Sequence, residues 1–227
     1  MSRSRLPTTP SRTDPARVRA AFITSAAAVR DLPRDGLPEI ALVGRSNVGK
    51  SSLINALAGR AIARTSATPG KTRLLNVYRV ARRGPQGEQT FHLVDLPGYG
   101  YARGARSDPG FQALARDYGA ARWESGTADP QTGALLLVDA RHPGLDNDLA
   151  AYDWLAALGG PAAVVATKLD KLTRAERPRA RLALETAFNG PVLPVSAASG
   201  EGLKDLWRLI NRLLSRQPPR LQLRPPS

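Results

Sequence analysis

The chain has no cysteine and a single methionine among its 227 residues. Without thiols there is no disulfide framework, no thiolate metal site and no cysteine nucleophile. No stretch approaches the roughly 20 apolar residues of a membrane span. Met1-Ser2-Arg3-Ser4-Arg5 is not followed by the apolar core of a signal peptide, so a soluble cytoplasmic protein is expected. With no cysteine, and with Ser2 rather than glycine after Met1, the usual lipid-attachment signals are missing too. The two histidines, His92 and His142, stand alone and are assigned no role. Lysine is scarce, supplying only five of the 33 basic residues, at positions 50, 71, 168, 171 and 204.

What is abundant is arginine. The formal net charge is +14. Residues 1–20 hold five Arg and one Asp, and residues 204–227 hold one Lys, five Arg and one Asp, so the two ends carry 9 of the 14 excess charges. Such a surplus points to a polyanionic partner, RNA or DNA ahead of an anionic membrane; an Arg and Ala bias set by genomic base composition is the competing explanation. The length suits one domain with a full core. Residues 1–17 are Ser, Thr, Pro and Arg with little to bury, and read as a disordered basic tail. Residues 18–214 form the expected domain, and 215–227 a Pro/Arg-rich tail.

The stretch around which the domain is organised is Gly44-Arg45-Ser46-Asn47-Val48-Gly49-Lys50-Ser51, which has the form G-x-x-x-x-G-K-S. The apolar run Ile40-Ala41-Leu42-Val43 before it suits a buried strand, and Ser52 to Leu57 after it suits a helix. Strand, glycine loop and helix together mark a phosphate-binding loop. Its glycines let backbone N–H groups converge on phosphate oxygens, and the new helix adds the positive end of its dipole. Lys50 is placed to meet the β and γ phosphates and the Ser51 hydroxyl to ligate Mg²⁺.

A second Mg²⁺ ligand is expected on the polar loop Gly59–Arg73, with Thr65, Thr68 and Thr72 as candidates. Two strands joined by a hairpin, 74–81 and 89–93, lead into Val94-Asp95-Leu96-Pro97-Gly98. An Asp at a strand end followed by Pro-Gly has the form of a Walker-B acid: Asp95 for the metal's water shell, the Gly98 N–H for the γ-phosphate. Tyr99 stands where Ras-like proteins have the Gln that orients the attacking water, and an aromatic ring cannot do that. A later buried strand ends at Thr167-Lys168-Leu169-Asp170. An ionised Asp only accepts hydrogen bonds, and guanine offers N1–H and N2–H side by side where adenine offers neither. Lys168 can lay its stem over the base. Val192-Leu193-Pro194-Val195 suits a final strand, and Ser196-Ala197-Ala198 after it offers backbone N–H groups to guanine O6, with Val195, Ser196 and Ala197 counted among the nucleotide-binding positions. The closing helix, 202–214, has Leu203, Leu206, Ile210 and Leu213 or Leu214 at helical spacing, with Trp207 as packing. A short helix is also expected over 26–32.

The longer strings Gly-Arg-Ser-Asn-Val-Gly-Lys-Ser-Ser-Leu-Ile-Asn, Thr-Pro-Gly-Lys-Thr (68–72) and Asp-Leu-Pro-Gly-Tyr-Gly-Tyr-Ala (95–102), with Phe22-Ile23-Thr24-Ser25-Ala26 upstream, resemble the EngB-type (YihA/YsxC) ribosome-biogenesis GTP-binding proteins, among the translation-factor-related P-loop GTPases. The resemblance covers roughly residues 20–214. It implies a three-layer α/β fold with a mostly parallel six-stranded sheet, in which residues 74–81 form one antiparallel edge strand. It implies GTP or GDP as ligand, Mg²⁺ held by Ser51 and Thr72, and closure of Gly70, Lys71, Thr72, Arg73 and Leu74 over the nucleotide. Lys50, Asn47, Thr72 and Gly98 are the expected catalytic positions. Related GTPases without the Gln use K⁺, and Asn47 is the matching position. The implied activity is slow GTP hydrolysis in assembly of the large ribosomal subunit, with ribosomal RNA or a subunit precursor as partner, in a monomer away from membranes. Thr167 departs from the commoner Asn and puts in doubt one side-chain tie between base loop and phosphate loop. A P-loop ATPase or kinase, and a membrane-surface GTPase using its basic ends, are the alternatives.

Overall fold

The computed structural model describes residues 18–64, 74–84, 87–99, 109–124, 132–215 and 219–224. Residues 1–17, expected as a tail, lie outside it. In chain order the elements are β1 (Val18–Ala26), β2 (Glu39–Gly44), α1 (Lys50–Ala58), β3 (Leu75–Gly84), β4 (Gly87–Asp95), α2 (Pro109–Gly119), β5 (Thr132–Asp139), α3 (Asp146–Leu158), β6 (Ala162–Thr167), α4 (Glu176–Ala187), β7 (Val192–Pro194) and α5 (Leu203–Leu213). A π-helical turn, Ala120–Glu124, prolongs α2.

The strands form one sheet in the order β1-β3-β4-β2-β5-β6-β7. From β4 to β7 every pairing is parallel, whereas β3 runs antiparallel to both its neighbours. Two expectations need correction here. The sheet has seven strands rather than six, and the antiparallel strand is not at the edge. β1 covers it through pairs from Val18↔Arg82 to Ala26↔Leu75, interrupted by an irregularity at Phe22–Thr24. That irregularity, and the five consecutive residues from Ala21 to Ser25 of which none is buried, break the alternation by which a strand is recognised. The helix expected over 26–32 is one 3₁₀ turn, Val29–Asp31, preceded by strand.

Every residue of β2 is buried because helices cover both sheet faces. Ile40 and Leu42 face α1 and α5, while Ala41 and Val43 face α2, α3 and α4. α5 buries Leu203, Leu206, Trp207, Leu209, Ile210 and Leu213, the stripe read from its sequence. Fully burying a side chain of this kind contributes about 1.5–3 kcal/mol, which makes α5 one of the firmest contacts on its face.

Part of the segment expected as a C-terminal tail is packed on the domain. The Pro219 carbonyl accepts the Ala162 N–H at 3.0 Å, and Arg220 bridges to Pro161. The Tyr152 hydroxyl donates to Gln222 O at 2.9 Å, and Arg224 forks onto Asp153 at 2.8 and 2.5 Å. No helix among the described residues is long and apolar enough to cross a membrane.

Candidate nucleotide site

All the motif residues within the described segments gather at the carboxyl end of the sheet. β2 ends at Gly44, where an added Cβ would lie 2.8 Å from Leu137 O and 2.9 Å from Val48 Cγ1, so only glycine fits. The loop then turns with φ of 62° at Asn47 and 112° at Gly49. No side chain caps α1, which leaves its first N–H groups facing the loop. Lys50 Nζ lies over this loop, donating to Gly44 O at 3.2 Å and Arg45 O at 3.4 Å. Burial pulls its pKa down, against the attraction of Asp95.

Asp95 closes β4 beside it. Burial pushes its carboxyl up to about 6, with Lys50 pulling the other way. Its Oδ1 is buried with no hydrogen-bond partner among the described residues. An orphaned carboxylate oxygen close enough to Lys50 to feel its charge suits a hydrated Mg²⁺. No group of three His, Cys, Asp or Glu that could hold a metal occurs among the described residues. Beyond Asp95, the Leu96 N–H donates to Leu42 O at 3.2 Å and Pro97 leads to Gly98. A Cβ on Gly98 would be 2.6 Å from the Ser46 nitrogen. The Ser46 N–H in turn donates to Tyr99 O at 3.0 Å.

The base end is built by β6 and the residues after β7. Thr167 Oγ1 lies 2.6 Å from Val48 O and 3.0 Å from Val138 O. The tie to the phosphate loop that this threonine put in doubt is therefore made, by a hydroxyl rather than an amide. Lys168, at φ 60°, donates to Asn47 O at 2.7 Å and pairs with Asp139 at 3.0 Å. Burial would raise the Asp139 pKa, but its bonds to Arg141 and Lys168 outweigh that and hold it well below the usual carboxylate range. Leu169 donates its N–H to Val195 O at 3.2 Å. Asp170 Oδ1 accepts the Ser196 hydroxyl at 2.6 Å, which fixes the carboxylate's direction. The N–H groups of Val195 and Ser196 are taken by Ala166 O and Glu201 O. Of the three positions expected to meet guanine O6, Ser196 to Ala198, Ala197 and Ala198 are the two whose N–H groups have no backbone acceptor among the described residues.

Gly70, Lys71, Thr72 and Arg73 fall outside the described residues. Leu74 lies just before β3. Asn47, the position tied to K⁺, is exposed. Two acids that the motifs did not flag belong to the site. Asp139 carried a signal, since it ends β5 as Asp95 ends β4. Asp148 carried none: an Asp in the first turn of a helix is commonplace.

A family model described as 50S ribosome-binding GTPase matches residues 39–168. A probable GTP-binding protein EngB from Pelotomaculum thermopropionicum is 43% identical over 199 residues, covering 85% of this chain and 94% of that protein. The protein of that name from Symbiobacterium thermophilum is 42% identical, with the same two coverages. Among solved structures, a probable GTP-binding protein engB covers 78% of this chain and 98% of that one, at a TM-score of 0.54 and 22% identity. Era, in a complex with MgGDPNP and a stretch of 16S ribosomal RNA, covers 81% of this chain and 59% of its own, at a TM-score of 0.60 and 23% identity. These two likenesses confirm the fold. With a family model spanning more than half of its length and relatives above 40% identity, the chain belongs to the EngB-type GTP-binding proteins, P-loop GTPases of the 50S ribosome-binding family.

Proposed function

We propose that the chain is a Mg²⁺-dependent GTP switch, slow in hydrolysis on its own, whose GTP form engages ribosomal RNA or a precursor of the large ribosomal subunit. The observation that carries the guanine reading is Asp170, aimed by Ser196 at 2.6 Å and set beyond Thr167, which is bonded to the phosphate loop. A carboxylate so placed accepts both N1–H and N2–H of guanine and disfavours adenine, against the ATPase or kinase alternative. Lys50 and the first N–H groups of α1 hold the phosphates. Ser51 and Thr72 would ligate Mg²⁺ and Asp95 its water; when bound, the ion neutralises charge on the β and γ phosphates. Slow hydrolysis is supported by Tyr99, whose hydroxyl is bonded to Asp148 at 2.9 Å rather than offered to a water. The description of the family model, the RNA in the Era complex and the net charge of +14 support the ribosomal reading.

The test is co-sedimentation of the full chain with ribosomal subunits in a GTP analogue, in GDP and without nucleotide, repeated with Asp170→Asn. Association should be strongest in the GTP analogue. The variant should lose roughly 100-fold in GTP affinity and recover part of it with xanthine nucleotide. Equal sedimentation in all three states would remove the switch, and unchanged GTP binding by the variant would remove the base assignment.

A further inference from the structure

A buried carboxylate joins the two walls of the phosphate site. Asp148, in the first turn of α3, has no exposed surface. Its Oδ1 accepts the Tyr99 hydroxyl at 2.9 Å and lies 3.3 Å from Arg45 Nε. Arg45 is the second residue of the phosphate loop, and Tyr99 directly follows Gly98. One oxygen of α3 therefore meets side chains from both segments between which a γ-phosphate has to sit.

The same pieces are joined through the main chain. Arg45 and Tyr99 form a parallel bridge, and the Ser46 N–H donates to Tyr99 O. Gly98 lies against Ser46 with no room for a Cβ. Where Tyr99 goes, Gly98 must follow. The Tyr99 ring is itself buried, packed in the cluster beneath α2 and α3. Its side chain thus runs away from the phosphate loop toward α3, and the residue in the position of the water-orienting Gln serves as an anchor.

The arrangement is only partly satisfied. Arg45 approaches Asp148 without completing a hydrogen bond, and Asp148 Oδ2 has no partner among the described residues. A junction built to hold the fold alone gains most from a complete fork of hydrogen bonds. This one instead ties together the parts whose spacing a γ-phosphate sets.

We infer that Asp148 and Tyr99 are positioning residues that hold the Gly98 amide in register with the phosphate loop, and so set how strongly the protein prefers GTP over GDP. The inference rests on the reading that this loop binds guanine nucleotide. The β-phosphate is reached by Lys50, bonded to Gly44 O and Arg45 O, and by the first N–H groups of α1, none of which is bonded to Tyr99 or Asp148. GDP binding should therefore survive its loss.

The experiment measures affinity for GDP and for a non-hydrolysable GTP analogue, together with kcat and melting temperature, in Tyr99→Phe, Asp148→Ala, Asp148→Asn and the Tyr99→Phe/Asp148→Ala double variant. Tyr99→Phe keeps the buried ring and removes only the hydroxyl. It and Asp148→Ala should each lower the ratio of GTP-analogue to GDP affinity by about tenfold, as loss of a hydrogen bond to a charged group does, and lower kcat with it. The double variant should be no worse than either single one, because both remove one interaction. Asp148→Asn keeps an acceptor for Tyr99 and should restore the ratio to within about threefold of the parent. A lowered melting temperature with an unchanged ratio in Tyr99→Phe would overturn the inference and make the junction a structural pillar. Failure of the parent protein to bind GDP would instead overturn the nucleotide reading beneath it.

Discussion

Two buried carboxylates at opposite ends of the sheet hold the same kinds of partner. Glu39, at the start of β2, accepts the Tyr118 hydroxyl at 2.7 Å and the Arg122 fork at 3.0 Å on each oxygen. Asp148, at the nucleotide end, accepts the Tyr99 hydroxyl at 2.9 Å and meets Arg45 through one oxygen only. Both acids are almost wholly enclosed, at 2% and 0% exposure, so neither is screened by water. At Glu39 both oxygens are bonded, and the result locks α2 and its π-helical extension to the foot of the central strand. At Asp148 one oxygen is left bare, and both partners sit on loops. The lesson is that a tyrosine, an arginine and a buried acid do not by themselves define a role. The completeness of the bonding, and whether the partners ride on fixed elements or on loops, separates an anchor from a coupling.

The contrast can be broken most sharply at the anchor. Arg122→Ala leaves Glu39 buried without its cation, and unfolding in denaturant should show a loss of about 3–5 kcal/mol. The preference for GTP over GDP should stay as it was. If instead the variant loses that preference while remaining folded, the two ends are not functionally distinct.

A smaller effect belongs to the nucleotide end. Thr167→Val removes the hydroxyl shared by Val48 O and Val138 O while keeping the volume. The cost should be about 1–3 kcal/mol, and part of it should appear as weaker binding of GDP and GTP alike, since the tie joins base loop to phosphate loop without touching Gly98. Isothermal titration would show this; a loss confined to GTP would place Thr167 with Asp148 rather than with the base loop.

The smallest effect concerns pH. Arg141 and Lys168 hold the Asp139 pKa below its value in the unfolded chain, so its contribution to stability is present above pH of about 4 and is lost as the pH falls below that. Asp139→Asn should accordingly be less stable than the parent near neutrality, with the gap closing toward pH of about 2. Urea unfolding at several pH values checks the sign, and a gap that widens in acid would contradict it.

The parts of the site legible from residues alone are those that depend on local backbone demands. Gly44 and Gly98 are needed because no side chain fits there, and Gly49 because of a left-handed turn. The run of apolar residues in β2 and the stripe on α5 reflect burial that the neighbouring sequence repeats. Asp95, Thr167 and Asp170 stand at strand ends, where chain direction delivers them to one edge. These features were set by short stretches, each carrying its own constraint.

Tertiary structure decided what depended on distant partners. Glu39 and Arg122 are 83 positions apart, and Tyr99 and Asp148 are 49 apart; nothing beside either acid marks it. β1 becomes the edge of the sheet because β3 offers it a full length of backbone to pair with, a property of β3 rather than of residues 18–26. Pro219 to Arg224, tail-like in composition, are packed because Ala162, Tyr152 and Asp153 present one donor, one hydroxyl and one carboxylate along a shared surface. A motif is a local requirement and can be read locally. A buried pair or an added strand is an agreement between remote segments, and it takes form only when the chain has folded and both sides have left water.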